Sequence, residues 1–248
     1  MSRSPQRWSR SSIATGFIAL ALVASGAPAA TSRVFVTSTT HTGDLKTEGA
    51  ALCGGTCADG LAGGDAICNK RASDAMLGGT WVAWLSTSVE AAKARLTAGS
   101  GPFIRAAGTP AVPHIAVDID DLTDGSLDAA IKNTEAGIPA PFRGVWTGTS
   151  ANGAHAGPDC NAWQSAVFGG PEGNVGGEEA ADSTWTDYAE NNPENCSFEF
   201  RLYCFEVTPS VPPPPLVPVP AASAAGLAAL LLLSLAGLAF LYRRQQAG

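Results

Sequence analysis

The segment CSFEFRLYCFE, residues 196–206, alternates with period 2, so Phe198, Phe200, Leu202 and Cys204 fall on one face and Ser197, Glu199, Arg201 and Tyr203 on the other. Successive side chains of a strand point to opposite faces, and the pattern predicts a strand with Cys204 tied into a core and Cys196 at its start. VFVTSTT, residues 34–40, alternates apolar and small polar positions and predicts the first strand. WVAWLS, residues 81–86, is aromatic and branched enough to predict a buried strand. The period lengthens from Asp65 onward: Ile67, Cys68, Ala72, Ala75 and Met76 fall near one stripe, with Asn69, Lys70 and Asp74 off it. That spacing predicts a helix, ended by Gly78 and Gly79. CGGTCADGLAGG before it reads as a glycine-rich loop, and Thr87 with Glu90 has capping-box spacing at the start of a second short helix, VEAAKARL.

The middle of the chain, GPFIRAAGTPAVPHIAVDIDDLTDGSLDAAI, is less regular. Its front half reads as a hairpin around Gly108, whose second arm Pro110 and Pro113 confine to a sheet edge. VWTGTS and Ala162–Ser165 read as later short strands, and SANGAHAGPDC and FGGPEGNVGGEEAAD as loops. No internal repeat is present. Helices early and short strands late, joined by long glycine-rich loops, predict an α+β fold rather than an alternating βαβ one.

The two ends have a different composition. Residues 1–30 carry Arg3, Arg7 and Arg10, an apolar run, and small residues at Ala27, Ala29 and Ala30, the order of a secretory signal peptide. A proline-rich linker follows the domain at residues 209–220, then an apolar segment at 221–242 and a basic tail at 243–248 with Arg243 and Arg244. At a rise of about 1.5 Å per residue the apolar segment reaches roughly 33 Å, enough to cross a bilayer core. The arginines put the tail on the cytoplasmic side and the domain, residues 31–208, outside. VPVPAA followed by the apolar stretch and arginines resembles the PEP-CTERM class of bacterial sorting signals. That resemblance implies a transient membrane anchor and a sorting protease that removes it; an ordinary permanent single-pass anchor is the alternative.

The domain carries all 22 acidic residues but only 10 of the 15 basic ones, a formal charge of −12. Such a surface repels phosphate backbones and anionic lipid heads, which excludes nucleic acid as a natural partner. Six cysteines, Cys53, Cys57, Cys68, Cys160, Cys196 and Cys204, make an even set in an exported chain, so disulfides are expected, with 15 possible pairings. A zinc site would need tighter cysteine pairs with histidine, and His41, His114 and His155 are scattered.

GLAGGDAIC, GGTWVAWLS, VWTGTSANG with the following DCNAW, and CSFEFRLYCFE occur in this order over residues 34–207. Together they resemble the endostatin-like branch of the C-type lectin-like fold, and more closely a bacterial secreted domain of unknown function assigned to that branch. The resemblance implies two nested disulfides, Cys68 with Cys204 and Cys160 with Cys196. On the chain-entropy model, loops of these lengths stabilise by at most about 5 and 4 kcal/mol. Cys53 and Cys57 are left to each other, a short local loop worth about 2 kcal/mol. A redox role for that CxxxC pair is the alternative, although no base stands near it in the sequence.

Three groups of residues carry candidate chemistry. Asp118, Asp120, Asp121 and Asp124, with Asp128 nearby, offer hard oxygen ligands that suit calcium, the one cofactor entertained; the spacing does not follow the EF-hand template, and solvated acids with one helix cap are the alternative. ENNPENC, residues 190–196, is similar to the carboxylate and amide residues with which C-type lectins hold calcium and a sugar. Trp146 and Cys160 stand too close for the lectin long loop, however, and no Trp-Asn-Asp triplet is present. Asn191, Asn192, Glu194 and Asn195 are thus expected as polar ligand contacts on an exposed loop, or simply as an Asn-Pro turn. Endostatin's histidine-held zinc and arginine-based heparin binding do not carry over: TSRVFVTSTT holds no histidine, and the domain is acidic. The tryptophans at 81, 84, 146, 163 and 185 could offer a sugar-stacking surface or simply fill a core.

No GxSxG motif accompanies the histidines and no acid pair stands out, so the chain is not expected to be an enzyme. The expectation is a non-catalytic binding or adhesion module at the cell surface, for an extracellular glycan or protein. The alternatives are a structural component of an extracellular matrix or biofilm and, with the least support, a hydrolase of envelope polymers.

Overall fold

In the computed structural model, residues 31–96, 101–107, 114–190 and 192–208 are described. The expected signal peptide, linker, membrane segment and basic tail, the hairpin tip around Gly108, and Asn191 lie outside these residues. Among the described residues no helix is long and apolar enough to cross a membrane.

In chain order the elements are β1 (Ser32–Val36), α1 (Leu45–Glu48), α2 (Gly60–Asp74), β2 (Thr80–Ala83), α3 (Ala92–Arg95), β3 (Phe103–Arg105), α4 (Ile119–Leu122), β4 (Val145–Trp146), a left-handed turn (Cys160–Trp163), β5 (Glu172–Gly173), β6 (Val175–Gly176), a 3-10 turn (Ser183–Trp185), β7 (Glu194–Asn195) and β8 (Arg201–Thr208). The fold is α+β, with one long helix, several single helical turns and short strands. The main sheet runs β3-β1-β8-β4-β6, with β2 also on β8; β1–β3 and β4–β8 are parallel and the remaining pairs antiparallel. β5 and β7 form a separate two-stranded sheet.

β8 is the centre of the molecule, because both of its edges are paired: Phe205 faces Val34 of β1 on one side and Val82 of β2 on the other. Its alternation from Phe200 to Cys204 sorts side chains between two cores rather than between core and water. Leu202 and Cys204 join Phe35, Trp81, Ala83 and the α2 residues Leu61, Ile67, Cys68 and Ala72. Tyr203 and Phe205 join Val34, Val36, Trp84, Phe103, Ile115 and Trp185 beneath the irregular half of the chain. A strand buried on both faces needs apolar bulk at every position, which Arg201–Glu206 meets except at its charged ends. There Arg201 lies 3.9 Å from Glu178, and Glu206 accepts from Arg33 at 2.5 Å. Phe198 departs from the expected strand: it is 47% exposed in the turn between Cys196 and β8.

The expected loop before the first helix is largely helix. Asp59 caps α2 by accepting from the Ala62 amide at 2.8 Å, and the helix starts at Gly60 rather than Asp65. The sequence hid this because Gly60, Gly63 and Gly64 give no apolar period. They are small for contact: a Cβ on Gly63 would stand 2.1 Å from the Leu45 carbonyl oxygen, and one on Gly60 would stand 2.3 Å from that of Trp163. At the other end α2 stops before Met76, which has a φ of +55 and is 91% exposed, so Met76 leaves the expected stripe. The second expected helix shrinks to α3. Thr87 does accept from the Glu90 amide at 3.2 Å, but it caps a separate turn, and Ser86 Oγ accepts from the Ala92 amide where α3 begins.

The strand expected over Ala162–Ser165 is instead the left-handed turn, with φ of +52, +57, +55 and +61 from Cys160 to Trp163. Each non-glycine residue in this conformation costs about 1–2 kcal/mol. The compensation is local. Asp159 accepts from the Ala162 amide at 2.9 Å, Trp163 donates its indole N–H to the Ser86 carbonyl at 2.9 Å, and Cys160 is bonded to Cys196.

Candidate functional site

Cys68 on α2 is joined to Cys204 on β8, and Cys160 to Cys196, with Cα separations of 5.5 and 5.6 Å; all four sulfurs are fully buried. Cys53 is joined to Cys57 in the loop between α1 and α2. These bridges tie the helix to the central strand and the left-handed turn to the segment preceding that strand. The bridge between Cys160 and Cys196 also anchors the β5–β7 pair, since Cys196 follows β7 directly and Gly173 of β5 lies against Cys160.

Four of the five aspartates of the DIDDLTDGSLD stretch have protein partners. Asp118 caps α4, accepting from the Asp120 and Asp121 amides at 2.9 and 3.0 Å. Asp121 accepts from the Val117 amide at 2.7 Å, Asp124 from the amide and hydroxyl of Ser126, and Asp120 pairs with Lys93 at 2.9 Å. Among the described residues no group of three or more histidine, cysteine, aspartate or glutamate side chains converges as a metal site. The five tryptophans at 81, 84, 146, 163 and 185 are all at most 1% exposed, so they form core and not a sugar-stacking surface.

Of the ENNPENC residues, two are structural. Asn192 Oδ1 accepts from the Val175 amide at 2.6 Å, while its Nδ2 donates to the Val175 carbonyl at 3.1 Å and to Asp187 at 2.7 Å. Asn195 Oδ1 accepts from the Ser197 amide and hydroxyl at 3.0 and 2.8 Å, closing the turn into β8. Asn191 lies outside the described residues. Glu194, on β7, is half-buried and lines a cleft of about 210 Å³ with Phe142, Arg143, Val175, Tyr188 and Phe200.

Each wall of that cleft is held from behind. Phe200 forms the floor, packed edge-on against Trp146 with ring centroids 4.6 Å apart. Gly144 approaches it so closely that a Cβ would meet the Phe200 ring at 3.0 Å, and its φ of +82 suits glycine. The Phe142–Arg143 edge is fixed by Glu178, a fully buried carboxylate that accepts from the Arg143 and Gly144 amides at 2.6 and 3.0 Å. Tyr188 is placed by its amide, which donates to the Val175 carbonyl at 2.8 Å, the group that Asn192 also contacts. Phe142 is 55% exposed, an unusual position for a large ring on a rigid edge.

Two aromatic walls, an aromatic floor, and Arg143 and Glu194 on the same rim suit a ligand with an apolar face and hydroxyl or amide edges. Of the described residues expected to contact a ligand, Glu194 belongs to this cleft and Asn192 and Asn195 do not. Phe142 and Arg143 are not legible as a site with Tyr188 in the sequence, because the two segments are far apart along the chain and follow no period. The one local signal is the placement of Phe142 and Arg143 between Pro141 and Gly144, where neither a helix nor a long strand can bury them. No family model matches the chain, and none of the curated proteins compared with it is a match.

Proposed function

We propose that this is an exported, surface-held binding module that takes an extracellular glycan or protein in the cleft lined by Phe142, Arg143, Tyr188 and Glu194. The observation that carries the reading is a half-exposed phenylalanine on an edge clamped by a buried carboxylate: a ring kept in water by fixed backbone is suited to a partner's apolar face. The acidic domain favours neutral or basic ligands over phosphate or sulfate polymers. The reading includes an endostatin-like member of the C-type lectin-like fold, supported by the ordered motifs of the sequence. It also includes delivery by a signal peptide and a PEP-CTERM-type tail, supported by the composition of the two ends.

Arrays of glycans and matrix proteins probed with the full-length protein test it. A ligand whose binding falls at least tenfold in both F142A and Y188A, at unchanged melting temperature, supports the reading. Retained binding in both variants would remove the cleft from it. Failure on every ligand, with loss of matrix when the chain is deleted, would favour a structural role in matrix or biofilm.

A further inference from the structure

A second cleft, of about 360 Å³, lies between the end of β1 and the α1–α2 region and is lined by Thr39, His41, Glu48, Leu52, Ile67 and Lys70 among others. Three of these residues form a continuous relay. His41 Nδ1 stands 2.7 Å from Glu48 Oε2, and His41 Nε2 stands 2.9 Å from Thr39 Oγ1. A carboxylate can only accept, so Glu48 requires the proton of a neutral His41 on Nδ1. That leaves Nε2 to accept from the Thr39 hydroxyl.

The relay is held rigidly. Glu48 Oε1 accepts from the amide and hydroxyl of Thr42 at 2.8 and 2.5 Å, which leaves Oε2 for the imidazole. Burial alone would push the Glu48 carboxyl up, but the hydrogen bonds from His41 and Thr42 hold it below its usual value, so it is ionised at neutral pH. The backbone of His41 is fixed by exchanged hydrogen bonds with Phe200 at 2.7 and 2.9 Å, and its carbonyl accepts from the Trp146 indole at 2.8 Å. The His41 side chain is 13% exposed, wet enough to exchange a proton with a molecule in the cleft. Thr39 and His41 are two residues apart, which no triad-like sequence motif would reveal.

We propose that Thr39, His41 and Glu48 form an acyl-transfer site that cleaves esters carrying a short apolar acyl group. Thr39 Oγ1 attacks the ester carbonyl carbon while its proton passes to His41 Nε2, and Glu48 stabilises the resulting imidazolium. The carbon–oxygen bond to the leaving alcohol breaks, and that alcohol takes the proton from Nε2. Water then attacks the Thr39 ester, again losing its proton to Nε2, which passes it to Thr39 Oγ1 as the free acid leaves. Leu52 and Ile67 offer the acyl chain an apolar wall, and Lys70 and Arg71, which are paired with Asp74 and Glu135, flank it. None of these residues lines the aromatic cleft, so this proposal and the binding proposal stand or fall separately.

The test uses full-length protein with 4-nitrophenyl acetate and a fluorophosphonate probe. Expected are turnover, probe label on the peptide containing Thr39, and a drop in turnover of about 100-fold or more in both T39V and H41Q. T39S retains turnover and label, which separates loss of the nucleophile from loss of the fold. Absence of both turnover and label in the wild-type protein overturns the proposal. So does turnover that persists in H41Q and T39V, or label that falls elsewhere than Thr39.

Discussion

The side chain of Asn192 supplies Val175 with a donor and an acceptor in the manner of a neighbouring strand, taking its amide at 2.6 Å and giving to its carbonyl at 3.1 Å. β6 is thereby extended by an amide side chain, alongside the Tyr188 amide on the same carbonyl. N192A leaves the Val175 amide without its partner and should lower unfolding free energy by about 1–3 kcal/mol in urea melts. N192D keeps the acceptor but sets a carboxylate against Asp187 and the Val175 carbonyl. It should be worse than N192A at neutral pH, and should recover as pH falls far enough to protonate it.

The three disulfides should differ widely in their effect on stability. Bridge Cys68–Cys204 closes a sequence separation of 136 and bridge Cys53–Cys57 one of 4. On the chain-entropy account, C68S/C204S costs up to about 5 kcal/mol and C53S/C57S about 2 or less. Denaturant melts of the two double variants without reductant compare them directly. Near-equal losses would mean that the long bridge acts through native packing and not through the unfolded chain.

Glycine contacts outweigh helix propensity on α2. Replacing a mid-helix glycine by alanine ordinarily stabilises by about 1 kcal/mol. At Gly63 the new methyl would lie 2.1 Å from the Leu45 carbonyl oxygen, which belongs to backbone and cannot swing away. G63A should therefore destabilise, by about 1–3 kcal/mol net, as α2 moves off α1. A rise in melting temperature would show that the two helices tolerate separation.

Acid should loosen the domain through Glu135. Burial would raise its carboxyl, but hydrogen bonds from Ser38 and Arg71 outweigh it and hold Glu135 below its usual 4.5. A carboxyl depressed in the folded state contributes stability above its unfolded value and loses it as pH falls through the folded one. Glu48 behaves the same way. Asp65 runs in the opposite direction: burial raises it above 3.8 despite Arg95, so its protonation partly offsets the loss. Melting temperature should decline as pH drops below about 4.5, and E135Q should be less stable at neutral pH and show a shallower decline. An unchanged slope in E135Q would place the acid sensitivity elsewhere.

Local pattern alone makes part of the fold legible. The α+β class, the burial of WVAWLS, the core of α2 from Ile67 to Ala72, and the alternation from Phe200 to Cys204 all follow from periods that a single element imposes on its own residues. The start of α2 at Gly60 was illegible, because its glycines answer to Leu45 and Trp163 and not to helix propensity. The left-handed turn was illegible for a similar reason: Cys160 and Trp163 adopt a costly backbone to reach Cys196 and Ser86. The nested cysteine pairing could be written down only by resemblance, since spacing alone leaves every pairing open.

The sequence by itself determined where strands and the main helix have their apolar positions, that the domain is acidic, and that its ends differ in kind from its middle. Only the tertiary structure decided which charged and aromatic side chains meet. Phe142, Tyr188 and Glu194 share a cleft because the segments around β4, β6 and β7 line it, and His41 reaches Glu48 across the turn that leads into α1. The physical reason is that secondary structure answers to neighbours along the chain, whereas a site is made of neighbours in space, and loop geometry rather than periodicity brings them together.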